Sequence, residues 1–242
     1  MSTPSPHPVR IEGRLDPELS RWLWLVKWLL AIPHFVVLVF LWIGLVLLTI
    51  VAFFAILFTG RYPRSIFEFN LGVLRWTWRV AFYTYGALGT DRYPPFTLGP
   101  VADYPATLEV EYPAQLSRGL VLVKWWLLAI PHYLVLGVLI GGGWSGWRGD
   151  SNWGEHGDWG GGRWGGPGLI SLLVLFAAIA LLFTTRYPRG IFDFVLGLNR
   201  WVARVAAYVV LMTDRYPPFR LDQGPGDPRD VAAPGEAAAP AA

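Results

Sequence analysis

Arg186-Tyr187-Pro188-Arg189-Gly190-Ile191-Phe192-Asp193-Phe194, followed by Arg200-Trp201, Arg204 and Tyr208 and closed by Asp214-Arg215-Tyr216-Pro217-Pro218-Phe219, occurs twice in this chain. The earlier copy reads Arg61-Tyr62-Pro63-Arg64-Ser65-Ile66-Phe67-Glu68-Phe69, then Arg75-Trp76, Arg79 and Tyr83, then Asp91-Arg92-Tyr93-Pro94-Pro95-Phe96. The two differ in length by only two residues near their ends. Self-similarity of this extent marks a duplicated unit, so the rest of the chain is read by asking what each copy attaches to this cassette.

The composition is that of a membrane protein. Hydrophobic residues make up 54% and charged residues 15% of the 242, and 14 residues are Trp; an average soluble domain has about 25% charged residues. The chain has no Cys, which removes disulfides, thiolate catalysis and Cys-ligated zinc or iron–sulfur sites from consideration. The formal charge of +3 arises from 18 Arg and two Lys against 17 acidic residues. The arginines cluster beside apolar runs, so anionic lipid head groups rather than nucleic acid are their expected neighbours.

Outward from the cassettes, residues 1–8 form a Pro- and Ser-rich, disordered N-terminus without the pattern of a cleavable signal peptide. Val9-Arg10-Ile11-Glu12 and Leu108-Glu109-Val110-Glu111 alternate apolar with polar, as short strands do. Each precedes a Leu-Ser-Arg, at Leu19-Ser20-Arg21 and Leu116-Ser117-Arg118. Strands this short are marginal alone. Together, with Phe96-Thr97-Leu98 and Phe219-Arg220-Leu221, they predict one small sheet outside the bilayer.

Between Arg21 and Phe58 the only formal charge is Lys27. That apolar run is nearly twice the ~20 residues one transmembrane helix needs, so it predicts a hairpin. The second copy carries a Gly- and Trp-rich insertion at 141–168 that marks a loop. Mapped back, it predicts a turn near Trp42-Ile43-Gly44. The expected spans are 19–41 and 43–59 in repeat 1 (9–98), and 117–140 and 169–185 in repeat 2 (108–221). A linker covers 99–107 and a disordered tail 222–242. After each Tyr-Pro a helix is expected, at 64–88 and 189–212. Its stripe is Glu68, Gly72, Arg75 and Arg79, repeated as Asp193, Gly197, Arg200 and Arg204.

These two helices either cross the membrane, giving six spans, or lie at its interface, giving four. A central Arg costs roughly 2.5–3.5 kcal/mol to insert, which favours the interface. Four spans also leave both termini with the arginine-rich cassettes, the positive-inside pattern of cytoplasmic ends. The expected fold is thus an all-α integral membrane protein of two tandem repeats. Each repeat is a transmembrane hairpin plus an amphipathic interfacial helix, and a small extramembrane β element completes it.

Ionisable residues inside apolar spans are functional candidates by default. Lys27 and His34, and their counterparts Lys124 and His132, lie on one face of the first span of each copy. Three readings stand. In the first, Lys snorkels to the cytoplasmic interface while His bonds backbone released by the preceding Pro. Alternatively, Lys27, His34, Lys124 and His132 form an intramembrane network with Glu68 and Asp193 that relays protons or lines a substrate path. Thirdly, His34 and His132 meet at one haem or metal. Signatures of enzymes fail: there is no Gly-x-Ser-x-Gly elbow, phosphate loop or His-Glu-x-x-His. No catalytic residue, metal ligand or cofactor is assigned. Arg61, Arg64, Arg75, Arg79, Arg186, Arg189, Arg200 and Arg204 are the candidates for binding lipid phosphates or a partner protein.

With Arg-Tyr-Pro-Arg-(Gly/Ser)-Ile-Phe-(Asp/Glu)-Phe, Arg-Trp and Asp-Arg-Tyr-Pro-Pro-Phe in hand, the chain resembles the bacterial membrane family called domain of unknown function 4389, in a two-copy form. The resemblance runs from Val9 to Leu221. It implies a multi-pass protein of the bacterial cytoplasmic membrane and contributes no catalytic residue. The function expected is a non-catalytic membrane scaffold binding anionic lipid, a partner protein or a second copy. The alternative is a small transporter or proton-coupled channel using the Lys/His/acid network.

Overall fold

The computed structural model describes residues 7–141, 168–184, 187–219 and 221. The apolar run after Trp22 folds as one helix, α1 (Trp24–Thr59), of 36 residues, or about 54 Å at 1.5 Å per residue. It passes unbroken through Trp42-Ile43-Gly44, so the expected turn there, and with it the separate spans 19–41 and 43–59, is not formed. The reason is local. A lone Gly inside a helix costs only about 1 kcal/mol relative to Ala, and here its missing side chain admits the Phe69 ring, 3.3 Å from where a Cβ would stand. Pro33 is likewise carried within the helix. What ends α1 is Gly60, left-handed at φ 71°, whose N–H bonds Ile56 O at 2.8 Å.

Pro63 cannot continue a helix from the residues before it, and α2 (Arg64–Tyr83) starts there and runs back across α1. Asn70 reaches Thr49 at 3.2 Å, and Trp42 Nε1 donates to Thr77 at 3.1 Å. Helix α2 stops five residues before the expected 88, because the chain turns through Gly86 and a left-handed Leu88 at φ 52°. In the second copy, α3 (Arg118–Val123) and α4 (Ile130–Leu136) alternate with π-helical turns at Lys124–Leu128 and Gly137–Gly141. Helices α5 (Leu169–Thr184) and α6 (Arg189–Val209) complete that copy. The Gly/Trp insertion, apart from its ends, lies outside the described residues, as do most of the N-terminus and the C-terminal tail. Among the described residues α1 is the one helix long and apolar enough to cross a membrane, and α5 is shorter but equally apolar.

Strands β1 (Val9–Gly13) and β2 (Ala106–Val110) form an antiparallel two-stranded sheet with Ile11 opposite Leu108. Phe96–Leu98 forms no strand and packs as a loop, contrary to expectation. Backbone bonds at the flanking pairs, Arg14 N–H to Pro105 O at 2.8 Å and Glu111 N–H to Pro8 O at 2.9 Å, set the alternation of the ladder. Ile11 and Leu108 are therefore a non-hydrogen-bonded pair, with carbonyls turned to the two outer edges. Each stands equally far before its Leu-Ser-Arg. Equivalent residues of the two copies thus face each other, and a local two-fold axis passes between them.

About this axis the copies are interlaced. Helix α2 of the first copy covers β2 of the second, and α6 covers β1. The molecule is layered: sheet, then α2 and α6, then α1 with the helices of the second copy. Helix α2 has Val73, Trp78, Arg79 and Phe82 all buried, so it is not an interfacial helix turning a polar face to water. The arginines of its stripe face the sheet and the loop that follows. Gly72 on that stripe lets Leu98 approach so closely that a Cβ would stand 2.7 Å from the Leu98 Cβ.

Candidate functional site

Lys27 lies one turn inside α1 and is 1% exposed. Its ammonium group pairs with Asp91 Oδ1 at 2.8 Å and donates to Thr90 O at 2.6 Å, with the Tyr83 ring 4.9 Å away. Asp91 opens the Asp-Arg-Tyr-Pro-Pro-Phe motif and also accepts the Ser20 N–H at 2.5 Å. The second copy repeats this arrangement atom for atom. Lys124, 0% exposed, pairs with Asp214 at 2.8 Å, donates to Thr213 O at 3.0 Å and sits 5.4 Å from the Tyr208 ring, while Asp214 accepts the Ser117 N–H at 2.6 Å. A lysine this deeply buried stays charged only with such a partner. The snorkelling reading is thereby replaced: both lysines face inward.

His34 and His132 follow about two turns along and fill aromatic boxes. His34 Nδ1 accepts from Trp76 Nε1 at 3.1 Å, and its ring stacks on Phe96 at 4.0 Å. His132 lies between Trp201 and Phe219, at 5.4 and 4.6 Å, with Nε2 3.3 Å from Pro217 O. Each imidazole is covered by aromatics of its own copy, so the two do not converge on a shared haem or metal. Among the described residues no group of three or more His, Cys, Asp or Glu could hold a metal ion.

Glu68 is not in this network. It is exposed near the start of α2, 3.6 Å from Arg64 in an i,i+4 pair, whereas Lys27 meets the far end of α2 at Tyr83. Asp193, its counterpart on α6, is half-buried near the start of that helix, whereas Lys124 meets its far end at Tyr208. The acids that complete the sites are Asp91 and Asp214, which the sequence analysis missed. The signal was present: each is the acidic residue opening the closing motif of its cassette, at the same position in both copies.

The arginine stripe serves the sheet. Arg75 Nε donates to Leu108 O at 3.1 Å, and its guanidinium pairs with Glu109. Arg200 Nε donates to Ile11 O at 3.0 Å. These are the outward-facing carbonyls at the dyad, so each copy's arginine caps the other copy's edge strand. Arg79 donates to Gly99 O at 3.2 Å and to Thr97 O, holding the loop over α2; burial holds its guanidinium below its ordinary range. Arg79, Arg200 and Arg204 are each 2% exposed. Buried in this way, and with Arg75 engaged by Leu108 O and Glu109 at 17% exposure, the arginines of the stripe serve the protein's own sheet and loop rather than lipid phosphates, which corrects that part of the expectation. Arg61, Arg64 and Arg189 remain at the surface, and Arg186 lies outside the described residues.

The cassette tyrosines reach across in the same manner. Tyr62 OH donates to Val210 O at 3.3 Å and accepts from Asn70 at 2.8 Å, and Tyr187 OH donates to Ala87 O at 2.9 Å. Burial pushes the Tyr62 phenol up to about 12, and pushes the phenols of Tyr187 and Tyr104 up as well.

Neither curated proteins nor solved structures yield a match. A family profile described as a domain of unknown function does match, over residues 21–97 and 168–220. These two segments carry Lys27 with Asp91 and the whole of both cassettes. The chain therefore belongs to the DUF4389 family, in a form consistent with two copies of the domain.

Proposed function

We propose that this protein is a non-catalytic scaffold embedded in the bacterial cytoplasmic membrane, with the sheet layer and both termini on the cytoplasmic side. The observation that carries the proposal is the outer face of α1. Trp28, Phe35, Phe40, Ile43, Phe54 and Phe58 are all exposed, up to 71%, along the whole helix. The second copy continues this face through Ile130, Val138, Phe176 and Phe183. A monomer in water rarely exposes an apolar surface on this scale, and hydrocarbon is its natural solvent.

Both ends of α1 are tied to segments flanking the sheet, through Lys27 to Asp91 and through Gly60 O, which accepts the Leu116 N–H at 2.9 Å. This supports one cytoplasmic polar layer serving both cassettes. In the second copy α4 and α5 are separate helices on either side of 142–167, so a multi-pass arrangement is proposed there. Surface Arg61, Arg64 and Arg189 would engage anionic head groups, each worth about 1 kcal/mol near such a surface. A partner protein or second copy would dock on the sheet layer.

The scaffold is preferred to a proton-coupled channel because each lysine is closed by its own Asp and a backbone carbonyl. The described residues provide no chain of ionisable groups linking Lys27 to Glu68. Resistance to alkaline carbonate extraction from membranes tests the embedding, and release into the soluble fraction would overturn it. Replacing Arg61, Arg64 and Arg189 with Gln tests the head-group role. Loss of preference for anionic over zwitterionic lipid in native mass spectrometry is expected, and an unchanged preference would remove that role.

A further inference from the structure

Two grooves lie where the copies meet. The larger, about 870 Å³, runs between Phe35 and Trp42 of α1, the turn that ends α2 at Thr84–Gly86, and Ile170 at the start of α5. The smaller, about 500 Å³, runs between Leu45 and Phe53 of α1 and the turn that ends α6 at Val209–Leu211. They correspond under the local two-fold. Each joins the turn that ends one copy's cassette helix to the other copy's apolar helix, and Ile170 and Leu45 stand equally far before Thr184 and Thr59. A feature repeated by both halves of a duplicated fold, despite different side chains, follows from the way the halves are interlaced.

We propose that each groove holds one acyl chain of a bilayer phospholipid, an inference that rests on the protein being membrane-embedded. Three observations identify the occupant. The volumes lie within the roughly 300–1,000 Å³ of small-molecule sites. The rims, Val39 and Ile140 on the larger groove and Val46 and Phe54 on the smaller, are more than half exposed and belong to the apolar outer face, so both grooves open where lipid tails would be. Finally, the amide, phenol and threonine groups on the larger groove's walls are already engaged within the protein. Asn199 donates to Gly86 O and Val195 O, both at 2.9 Å, and Tyr85 OH donates to Trp24 O at 2.7 Å. In the smaller groove, Thr49 accepts from Asn70. Such walls offer a ligand dispersion contacts without hydrogen bonds, which suits a hydrocarbon chain and disfavours a polar metabolite.

The test is native mass spectrometry of the full chain extracted in mild detergent and then exchanged into a delipidating one. Up to two phospholipid masses are expected to persist. Val39→Trp, which fills the larger groove from an exposed position, is expected to remove one, Val46→Trp the other, and the double variant both. Val39→Ala widens the groove and is expected to keep both lipids, which separates occupancy from loss of fold. Circular dichroism of every variant checks helix content. Equal lipid counts in wild type and the double variant would overturn the proposal, as would retained masses of free fatty acid. A full chain that keeps no lipid would also overturn it, and uptake by a chain lacking 142–166 would then assign the groove to that segment. Carbonate extraction reports separately on embedding, so failure of the scaffold reading is distinguishable from failure of this one.

Discussion

At the scale of single residues, the asymmetry of the Lys–Asp pairs is informative. Lys27 is 1% exposed and Asp91 23%, so removing the acid strands a charge that water cannot reach, whereas removing the lysine leaves one that it can. Asp91→Asn is therefore expected to cost about 3–5 kcal/mol, and Lys27→Met measurably less. The double variant Lys27→Met/Asp91→Asn should recover much of the loss, because it leaves neither charge behind. Thermal unfolding in detergent, scored as a double-mutant cycle, checks this; equal losses for both single variants would contradict the burial argument. The lysines were legible as special because a charge within an apolar run has few reasons to be there. Their partner was not, because Asp91 lies 64 positions along the chain and several other acids were equally available on paper.

At the scale of elements, the cross-copy contacts bind α2 and α6 to the opposite strand and turn. Arg75→Ala and Arg200→Ala each leave an edge carbonyl without its charged donor, and each is expected to cost about 1.5–3 kcal/mol. The two losses should be similar, since the residues are related by the local axis. Tyr62 and Tyr187 predict an alkaline transition. The unfolded phenol ionises near pH 10, while that of Tyr62 in the fold is held up to about 12. The folded state thus keeps a proton that the unfolded state loses, and the resulting stability is present below about pH 10 and lost as pH rises through about 12. Tyr62→Phe/Tyr187→Phe should flatten the fall in melting temperature across that window. An undiminished fall would place the titrating groups elsewhere.

At the scale of the whole molecule, topology is the open proposal. Cysteines introduced at Ala102 and Ala232 of this Cys-free chain are expected to react with an impermeant maleimide from the same side of the membrane, and one at Ser151 from the other. Labelling of Ala102 and Ala232 from opposite sides would replace the proposed arrangement. Deleting 142–166 is expected to leave the protein folded and inserted, because copy one forms α1 without any such segment. Loss of stable expression that a short Gly/Ser linker fails to rescue would count against this.

Local sequence pattern is enough for the duplication, the helical class, the two strands and the start of each cassette helix. These depend on local repetition, on alternation, and on Pro and Gly acting where they stand. It also singled out Lys27, Lys124, His34 and His132 as anomalous. The tertiary structure decided whether Gly44 turns the chain or packs against Phe69, since one glycine permits either and only the neighbour selects. It also decided which acid meets which lysine, and whether Arg75 and Arg200 look to lipid or to the opposite strand. Those outcomes depend on the interlacing of the copies about Ile11 and Leu108, a long-range pairing that no local pattern in either copy encodes.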